Sequence, residues 1–285
     1  MANVPYTTQA VRSPDGTNIG YRELGSGPSL MLVHGGMMGS QNFMKLGRVL
    51  ADAFTVHIPD RRGRGLSGPH GNYSLQAEAE DMIAVAKATG AANIFGLSSG
   101  AIVTLQAALN EPALRNVILY EPPIPFDGYD PTGWVEEYNN QIAEGKFGAA
   151  LLTIAAGTGG PTLLTRLRFV TAPFINLAIR ADAKNVKGDN VSLKDLIATM
   201  RYDPQAVLQS AELIDKGKEL RANVLLLGGS KSARYLKAAL DALQASMPRV
   251  TRVQLRGVGH LAADNGGRPV LVAEEIKKFL LNRSN

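Results

Sequence analysis

The sequence of 285 residues contains no cysteine, so it can form neither a disulfide framework nor a cysteine-ligated zinc site. It also has no apolar run that approaches the roughly 18 residues of a membrane-spanning helix. The N-terminal segment lacks the apolar stretch of a secretory signal peptide. These absences predict a protein with no membrane span, and a cytoplasmic location is the default expectation.

Long runs of basic residues are absent too. The formal net charge is +5, but the Lys and Arg residues are scattered and are not interleaved with aromatic residues. We therefore expect no nucleic-acid partner and interpret the positive charge as a generally basic surface. Hydrophobic residues make up 45% and charged residues 19% of the chain, which is typical of a globular protein.

Short apolar segments that end in Gly, Asp, Glu or His alternate with helix-like segments. An opening hairpin with its turn at residues 13–16 supplies two strands, and six more are predicted in SLMLVHGG, FTVHIPD, NIFGLSSG, NVILYEPP, NVLLLGG and RVQLRGVGH. This alternation predicts an α/β fold class with a mostly parallel, eight-stranded sheet flanked by helices. Because the carboxyl ends of parallel strands meet at one edge, we expect the reactive residues there to share a crevice.

The alternation stops between about residues 125 and 203, where apolar helix-like segments are separated by Gly and Pro. The sequence therefore predicts an inserted helical segment at 125–203 within a core formed by 1–124 and 204–285. Asp203 and Pro204 resemble a helix N-cap followed by proline at the first helical position.

The segment GLSSG, residues 96–100, follows a predicted strand and precedes a predicted helix. Glycines on both sides of Ser98 are typical of a nucleophile elbow, a strained turn that exposes a serine hydroxyl. The alternative is an ordinary turn in which Ser98 caps the helix.

A serine nucleophile needs a base, and the chain has four histidines. His260 follows the last predicted strand in a loop and is the favoured base. His57 is expected to be packed within a strand and His70 to be solvated, whereas His34 is expected to matter through its backbone turn more than its ring.

Two further loops follow strands. Backbone N–H groups in HGGM, residues 34–37, could stabilise an oxyanion together with the N–H of Ser99, although a plain strand-to-loop turn is the alternative. DRRGRGLSG, residues 60–68, formally contains a dinucleotide-binding fingerprint, but Pro69 interrupts the helix that this motif should open. We favour a structured loop beneath the crevice, without a cofactor.

In chain order, the motifs HGG, DxRGxGxS, GxSxG and GxGH resemble those of the α/β-hydrolase superfamily, and the resemblance spans essentially the whole chain. It implies an α/β-hydrolase fold in which the insertion is a helical cap. It further implies that Ser98 is the nucleophile and His260 the base, that Gly36 and Ser99 donate to the oxyanion, and that no metal or organic cofactor takes part. Met37 is an alternative donor and a candidate substrate contact.

The acid of the implied triad departs from the commonest pattern. Many members place an aspartate after the strand that here reads NVLLLGG, but this chain has no carboxylate there before Asp241. Glu121, at the end of the preceding strand, is favoured because some relatives place their acid there. An acidic group at that position would also need a partner such as His260. Asp241 and the lack of a working acid remain alternatives.

The predicted function is a serine hydrolase that cleaves a small to medium apolar carboxylic ester or lactone through an acyl-enzyme. The apolar insertion and Met37 favour an apolar small-molecule substrate, and the alternative is that the same apolar residues belong to the core. The same triad also supports hydroxynitrile-lyase, carbon–carbon hydrolase or cofactor-free peroxidase chemistry, and the fold could instead serve a ligand-binding receptor. The oligomeric state stays open.

Overall fold

The computed structural model describes residues 4–69, 71, 73–126, 131–159 and 162–281, so His70 lies outside the described residues. The strands of the described part form one eight-stranded sheet. In chain order they are β1 Thr7–Arg12, β2 Asn18–Gly25, β3 Ser29–Val33, β4 Thr55–Pro59, β5 Asn93–Leu97, β6 Asn116–Tyr120, β7 Asn223–Gly229 and β8 Val250–Leu255.

The sheet has the order β1-β2-β4-β3-β5-β6-β7-β8. The pairs β1–β2 and β2–β4 are antiparallel, and all the other neighbouring strands are parallel. The expected mostly parallel, eight-stranded sheet is therefore confirmed. Because β3, β5, β6, β7 and β8 run in one direction, the segments that follow them emerge at one edge of the sheet.

Helices cover both faces of this sheet. The helices of the described residues are α1 Met44–Leu50, α2 Leu75–Thr89, α3 Ser99–Asn110, α4 Val135–Ala143, α5 Phe147–Gly159, α6 Leu163–Arg166, α7 Arg168–Lys184, α8 Leu193–Thr199, α9 Asp203–Gln209, α10 Leu213–Lys216, α11 Arg234–Ser246 and α12 Pro269–Leu281. Short 3₁₀ turns occupy Ser40–Phe43 and Gly217–Glu219.

The central strands are apolar on both faces, as burial between two helical layers requires. In β3, Leu30 and Leu32 point into the cluster that contains α1 and α12. Met31 and Val33 point into the opposite cluster, which contains α2, α3 and α11. The period of two along the strand thus divides one short segment between two cores.

Helices α4–α8 lie between β6 and α9 and have a small apolar cluster of their own, which includes Tyr138, Ile154 and Ile197. The Tyr138 hydroxyl donates to the carbonyl oxygen of Ile197 at 2.7 Å and so ties α4 to α8. None of the helices in the described ranges has the length and apolar character needed to cross a membrane.

The expected N-cap at Asp203 is wrong. Tyr202 occupies the N-cap position, and Asp203 is the first residue of α9, followed directly by Pro204. The carboxylate of Asp203 does not cap the helix but is buried beside the site described below.

Candidate active site

Ser98 joins the end of β5 to the start of α3 in a strained conformation, with φ 57° and ψ −128°. Its N–H donates to the carbonyl oxygen of Tyr120 at 2.9 Å, which ties the turn to β6. Ser98 stands at the N-cap position of α3, yet its side chain makes no capping hydrogen bond. The hydroxyl is therefore not used as a helix cap.

The two glycines that flank Ser98 are required by close backbone approaches. A Cβ at Gly100 would lie 2.2 Å from the carbonyl oxygen of His34, and one at Gly96 would lie 2.6 Å from that of Gly100. Any side chain at either position would push the turn away from β3 or α3. The GxSxG spacing thus has a steric cause in this fold.

His260 follows β8 and faces Glu121, the residue that follows β6. Its Nδ1 lies 2.8 Å from Oε2 of Glu121, whose side chain is completely buried. The other carboxylate oxygen of Glu121 accepts the N–H of Gly229 at 2.6 Å. A carboxylate only accepts hydrogen bonds, so this contact places a proton on Nδ1 of His260 and leaves Nε2 as the acceptor of the neutral ring.

The end of β7, after which many α/β hydrolases place an aspartate, instead contacts the carboxylate of Glu121. A Cβ at Gly228 would lie 3.1 Å from Oε1 of Glu121. Asp241, the alternative acid, lies in α11, where its side chain is 71% exposed and forms an ion pair with Arg252. The structure therefore brings His260 together with Glu121 and leaves Asp241 on the surface.

The loop after β3 lies against the serine turn. A Cβ at Gly35 would lie 3.1 Å from the carbonyl oxygen of Leu97, and Met37 has a positive φ of 56°. In the described part of the chain, the N–H groups of Gly36 and Ser99 donate to no protein acceptor. Both groups are thus free to bind a ligand oxygen.

Positive φ angles outside glycine coincide with the predicted site. Among the described residues, the non-glycine positions with positive φ are Met37, Ser98 and Glu121. Backbone strain of this kind persists only where the surrounding structure enforces it, and it clusters at functional sites.

Several of the predicted site residues line a cavity of about 480 Å³. Ser98, His260, Gly36 and Met37 all line it, although no hydrogen bond between described residues links the Ser98 hydroxyl to His260. Most of the remaining wall is apolar and includes Met38, Leu97, Trp134, Leu151, Ile154, Met200, Val207 and Leu261.

A buried cluster of charges, which sequence reasoning missed, lies beside the cavity. Asp203 accepts the hydroxyl of Ser99 at 2.6 Å, Nη1 of Arg61 at 2.8 Å and Nη2 of Arg64 at 2.7 Å. Arg61 also donates to Glu78 of α2, with Nε 3.1 Å from Oε1. We call Arg61, Arg64, Glu78 and Asp203 the buried charge cluster.

The cluster keeps Asp203 ionised. Burial by itself would raise the pKa of Asp203, but the positive charges of Arg64 and Arg61 and the hydrogen bond from Ser99 outweigh it and lower the pKa to about 2. Nε and Nη1 of Arg64 are buried and have no hydrogen-bond partner among the described residues. The carboxylate of Asp203 is therefore the main group that balances the positive charge of Arg64. A Cβ at Gly36 would lie 3.0 Å from Cγ of Asp203, which places this carboxylate against the proposed oxyanion loop.

The ring of His34 forms hydrogen bonds of its own, although its backbone turn was expected to matter more than its ring. The ring is fully buried, with Nδ1 2.9 Å from the carbonyl oxygen of Gly35, and Nε2 accepts the N–H of Arg61 at 3.2 Å. Burial, and then the charges of Arg64 and Arg61, hold the pKa of His34 well below its ordinary value. A neutral imidazole thus joins two loops of the site. His57 is buried in β4, as expected.

The glycine-rich loop after β4 does not have the geometry of a dinucleotide site, because the next helix begins only at Leu75. Gly65 has φ 50°, and a Cβ there would lie 2.2 Å from Oδ2 of Asp60. Within the described ranges, no group of three or more His, Cys, Asp or Glu side chains is arranged to hold a metal ion.

Residues 30–275 match the Alpha/beta hydrolase family, which covers most of the chain. This chain belongs to that family. Its fold agrees with the crystal structure of an alpha/beta hydrolase from Sphaerobacter thermophilus, with a TM-score of 0.77, 25% identity, and coverage of 95% of this chain and 99% of that one.

Two curated relatives align over nearly their whole length. The 2-(acetamidomethylene)succinate hydrolase of Mesorhizobium japonicum is 26% identical over 91% of this chain and 90% of its own. The pimeloyl-[acyl-carrier protein] methyl ester esterase of Xanthomonas campestris is 25% identical over 90% of this chain and 96% of its own. The family and these relatives support a hydrolytic enzyme.

Proposed function

We propose that the protein is a serine hydrolase that cleaves small to medium apolar carboxylic esters or lactones through an acyl-enzyme. One observation carries the proposal. The strained Ser98, which does not cap its helix, shares a cavity with the imidazole of His260, and the buried carboxylate of Glu121 is hydrogen-bonded to Nδ1 of that imidazole. Ser98 is the nucleophile, His260 the base and Glu121 the acid.

In the acylation step, Oγ of Ser98 attacks the carbonyl carbon of the ester while Nε2 of His260 takes the hydroxyl proton. Glu121 stabilises the imidazolium that results. Collapse of the tetrahedral intermediate breaks the bond from carbon to the alcohol oxygen, and His260 returns its proton to that oxygen. Catalytic hydrogen bonds often form only once substrate is bound, which accommodates the missing Ser98–His260 hydrogen bond.

In the deacylation step, water replaces the alcohol. His260 takes a proton from the water as its oxygen attacks the acyl carbon, and then protonates Oγ of Ser98 as the acid departs. The free N–H groups of Gly36 and Ser99 would stabilise the negative oxygen in both steps, and loss of one such donor lowers rates by about 10²- to 10³-fold.

The chemical character of the cavity supports an apolar, uncharged acyl or alcohol group. Its described lining contains no Lys or Arg, and the carboxylate of Asp203, which also belongs to the lining, is already paired with Arg61 and Arg64. Met37 belongs to the apolar wall. The Xanthomonas relative is named for a methyl ester, which favours ester cleavage in this chain as well.

We also propose that residues 125–203 form a cap over the core made of 1–124 and 204–285. Residues of this segment, including Trp134, Leu151, Ile154 and Met200, supply much of the apolar wall. Exchange of these side chains should therefore change substrate preference more than the rate of the chemical step.

A fluorophosphonate probe tests the nucleophile, because it labels only an activated serine. We expect wild-type protein and Ser246→Ala to be labelled equally, and Ser98→Ala not to be labelled. Ser246 is a suitable control because its hydroxyl donates to a carbonyl oxygen within α11. An absence of label on the wild-type protein, together with no turnover in an ester and lactone panel, would favour the ligand-binding receptor.

A further inference from the structure

The outer surface of α6 and α7 is unusually apolar. Seven large side chains on or between these helices are each more than half exposed, and we call them the α6–α7 face: Leu163, Leu164, Leu167, Phe169, Val170, Phe174 and Leu177. Phe169 is 85% and Phe174 is 73% exposed. Isolated exposed apolar residues are ordinary, but a contiguous patch of this kind marks an interaction site.

Helical spacing makes the face continuous. Val170, Phe174 and Leu177 follow one another at intervals of four and three residues, and the exposed Ala178 and Ala181 extend the same side of α7. The opposite side of α7 is used for packing: Ile179 is buried, and Ala172 lies so close to α5 that a Cβ at Gly148 would be 2.3 Å from its carbonyl oxygen. The helix thus has two apolar sides, one packed against the rest of the protein and one directed outward.

Positive charge borders this face. The stretch from Leu163 to Ala181 contains no Asp or Glu, whereas Arg166, Arg180 and Lys184 are exposed and form no ion pair within the described residues. Asp182, between the last two cations, is also exposed, and its Oδ2 accepts the N–H of Leu193 at 2.7 Å. An apolar helix side with Lys and Arg beside it is the pattern of a helix that lies in the interface of an anionic membrane. A second copy of this chain, docked about a two-fold axis, would instead place one face bordered by these cations against another face bordered by the same cations.

We propose that the α6–α7 face docks onto the surface of a membrane that contains anionic lipid. Phe169, Phe174 and Leu177 enter the boundary between headgroups and acyl chains, while Arg180 and Lys184 contact lipid phosphates. The proposal concerns peripheral binding and does not depend on the proposed hydrolysis. Docking brings the lipid close to α5, whose Leu151 and Ile154 line the cavity.

Vesicle sedimentation of the full chain tests the proposal. We expect the wild-type protein to bind vesicles of phosphatidylglycerol and phosphatidylcholine at least 10-fold more tightly than vesicles of phosphatidylcholine alone, and to lose this advantage in high salt. Phe174→Ser/Leu177→Ser and Arg180→Glu/Lys184→Glu should each lower the partition coefficient at least 10-fold.

Leu208→Ser is the matched control, because Leu208 is 58% exposed on α9 outside the face. It should bind as the wild type does, within about 2-fold of the same partition coefficient, because it removes apolar surface elsewhere. Melting curves verify that all variants fold.

Failure of the wild-type protein to bind anionic vesicles above the level seen with phosphatidylcholine would overturn the proposal. So would equal losses in the face variants and in Leu208→Ser. Light scattering identifies the main rival: a wild-type dimer that Phe174→Ser/Leu177→Ser dissociates, without vesicle binding, would show that a second copy of the chain covers this face.

Discussion

Beside the cavity, four charged side chains are almost completely buried, whereas seven large apolar side chains on or between α6 and α7 are exposed to water. The two regions depart from the usual distribution in opposite directions. The buried charges have partners within the chain: Asp203 pairs with both Arg61 and Arg64, and Glu78 pairs with Arg61. Of the exposed apolar side chains, Phe169 has the guanidinium of Arg168 over its ring at 5.5 Å, a contact at the surface and not in the core.

The difference shows where the stabilising contacts of each region come from. Buried ions tolerate loss of solvent only when paired, so the buried charge cluster depends on each of its members. Exposed apolar groups contribute little to folding, so residues of the α6–α7 face can be exchanged without loss of the fold. Substitution should therefore damage one region severely and the other hardly at all.

The largest contrast is expected between a buried and an exposed carboxylate in catalysis. Glu121→Gln should lower kcat by about 10³- to 10⁴-fold, because the amide cannot hold His260 in the required tautomer or stabilise its charge. Asp241→Asn, on the surface, should change kcat less than 2-fold. Esterase assays of both variants check this, and a loss confined to Asp241→Asn would assign the acid to that residue.

Next in size is the effect of Asp203 on stability. Asp203→Asn should lower the free energy of unfolding by about 3 to 5 kcal/mol, because it leaves Arg64 buried without a negative partner. Asp52→Asn, at an exposed ion pair with Lys277, should lower it by less than about 1 kcal/mol. Urea unfolding measures both, and equal small effects would mean that the buried charge cluster is not required.

The same carboxylate predicts a pH dependence. The pKa of Asp203 is about 2 in the folded protein and 3.8 ordinarily, so its ionisation stabilises the fold fully above pH 3.8 and loses this effect as the pH falls towards 2. The difference in unfolding free energy between wild type and Asp203→Asn should therefore shrink by about 2 kcal/mol between pH 5 and pH 2. A difference that is constant with pH would contradict the low pKa.

The smallest effect is expected on the α6–α7 face. Phe169→Ser and Phe174→Ser should each change the free energy of unfolding by less than about 0.5 kcal/mol, because these side chains are exposed in the folded chain. Thermal or urea unfolding of the isolated protein measures this. A loss of 2 kcal/mol or more would show that the face is covered in solution and would remove the contrast between the regions.

The sequence predicted the eight-stranded sheet because its strands are short, apolar and separated by clear turn signals. It also pointed to Ser98 and His260, since a strand, a turn and a reactive residue stand side by side in the chain. Glu121 was predicted as the acid because no aspartate follows β7 and some relatives place their acid after the preceding strand. The roles of these three residues stay predictions, as do the cap and the cytoplasmic location.

Asp203 was misread because its partners are remote in sequence: 142 residues separate it from Arg61 and 104 from Ser99. The three arginines between residues 61 and 64 could have indicated a buried acid elsewhere in the chain. Arginines that follow an apolar strand and are buried need acidic partners to balance their charge. The apolar residues of the insertion were interpreted as substrate contacts, but those of the α6–α7 face point outward. Periodicity shows that a helix has an apolar side and does not show what the side faces.

The left-handed backbone at Met37, Ser98 and Glu121 has a consequence for attempts to raise the melting temperature of this protein. Each such position holds about 1 to 3 kcal/mol of unfavourable conformation, which glycine would relieve at once. A screen for melting temperature alone would therefore favour glycine at these three positions of the proposed active site. Thermostable variants should for this reason be tested for turnover at the same time.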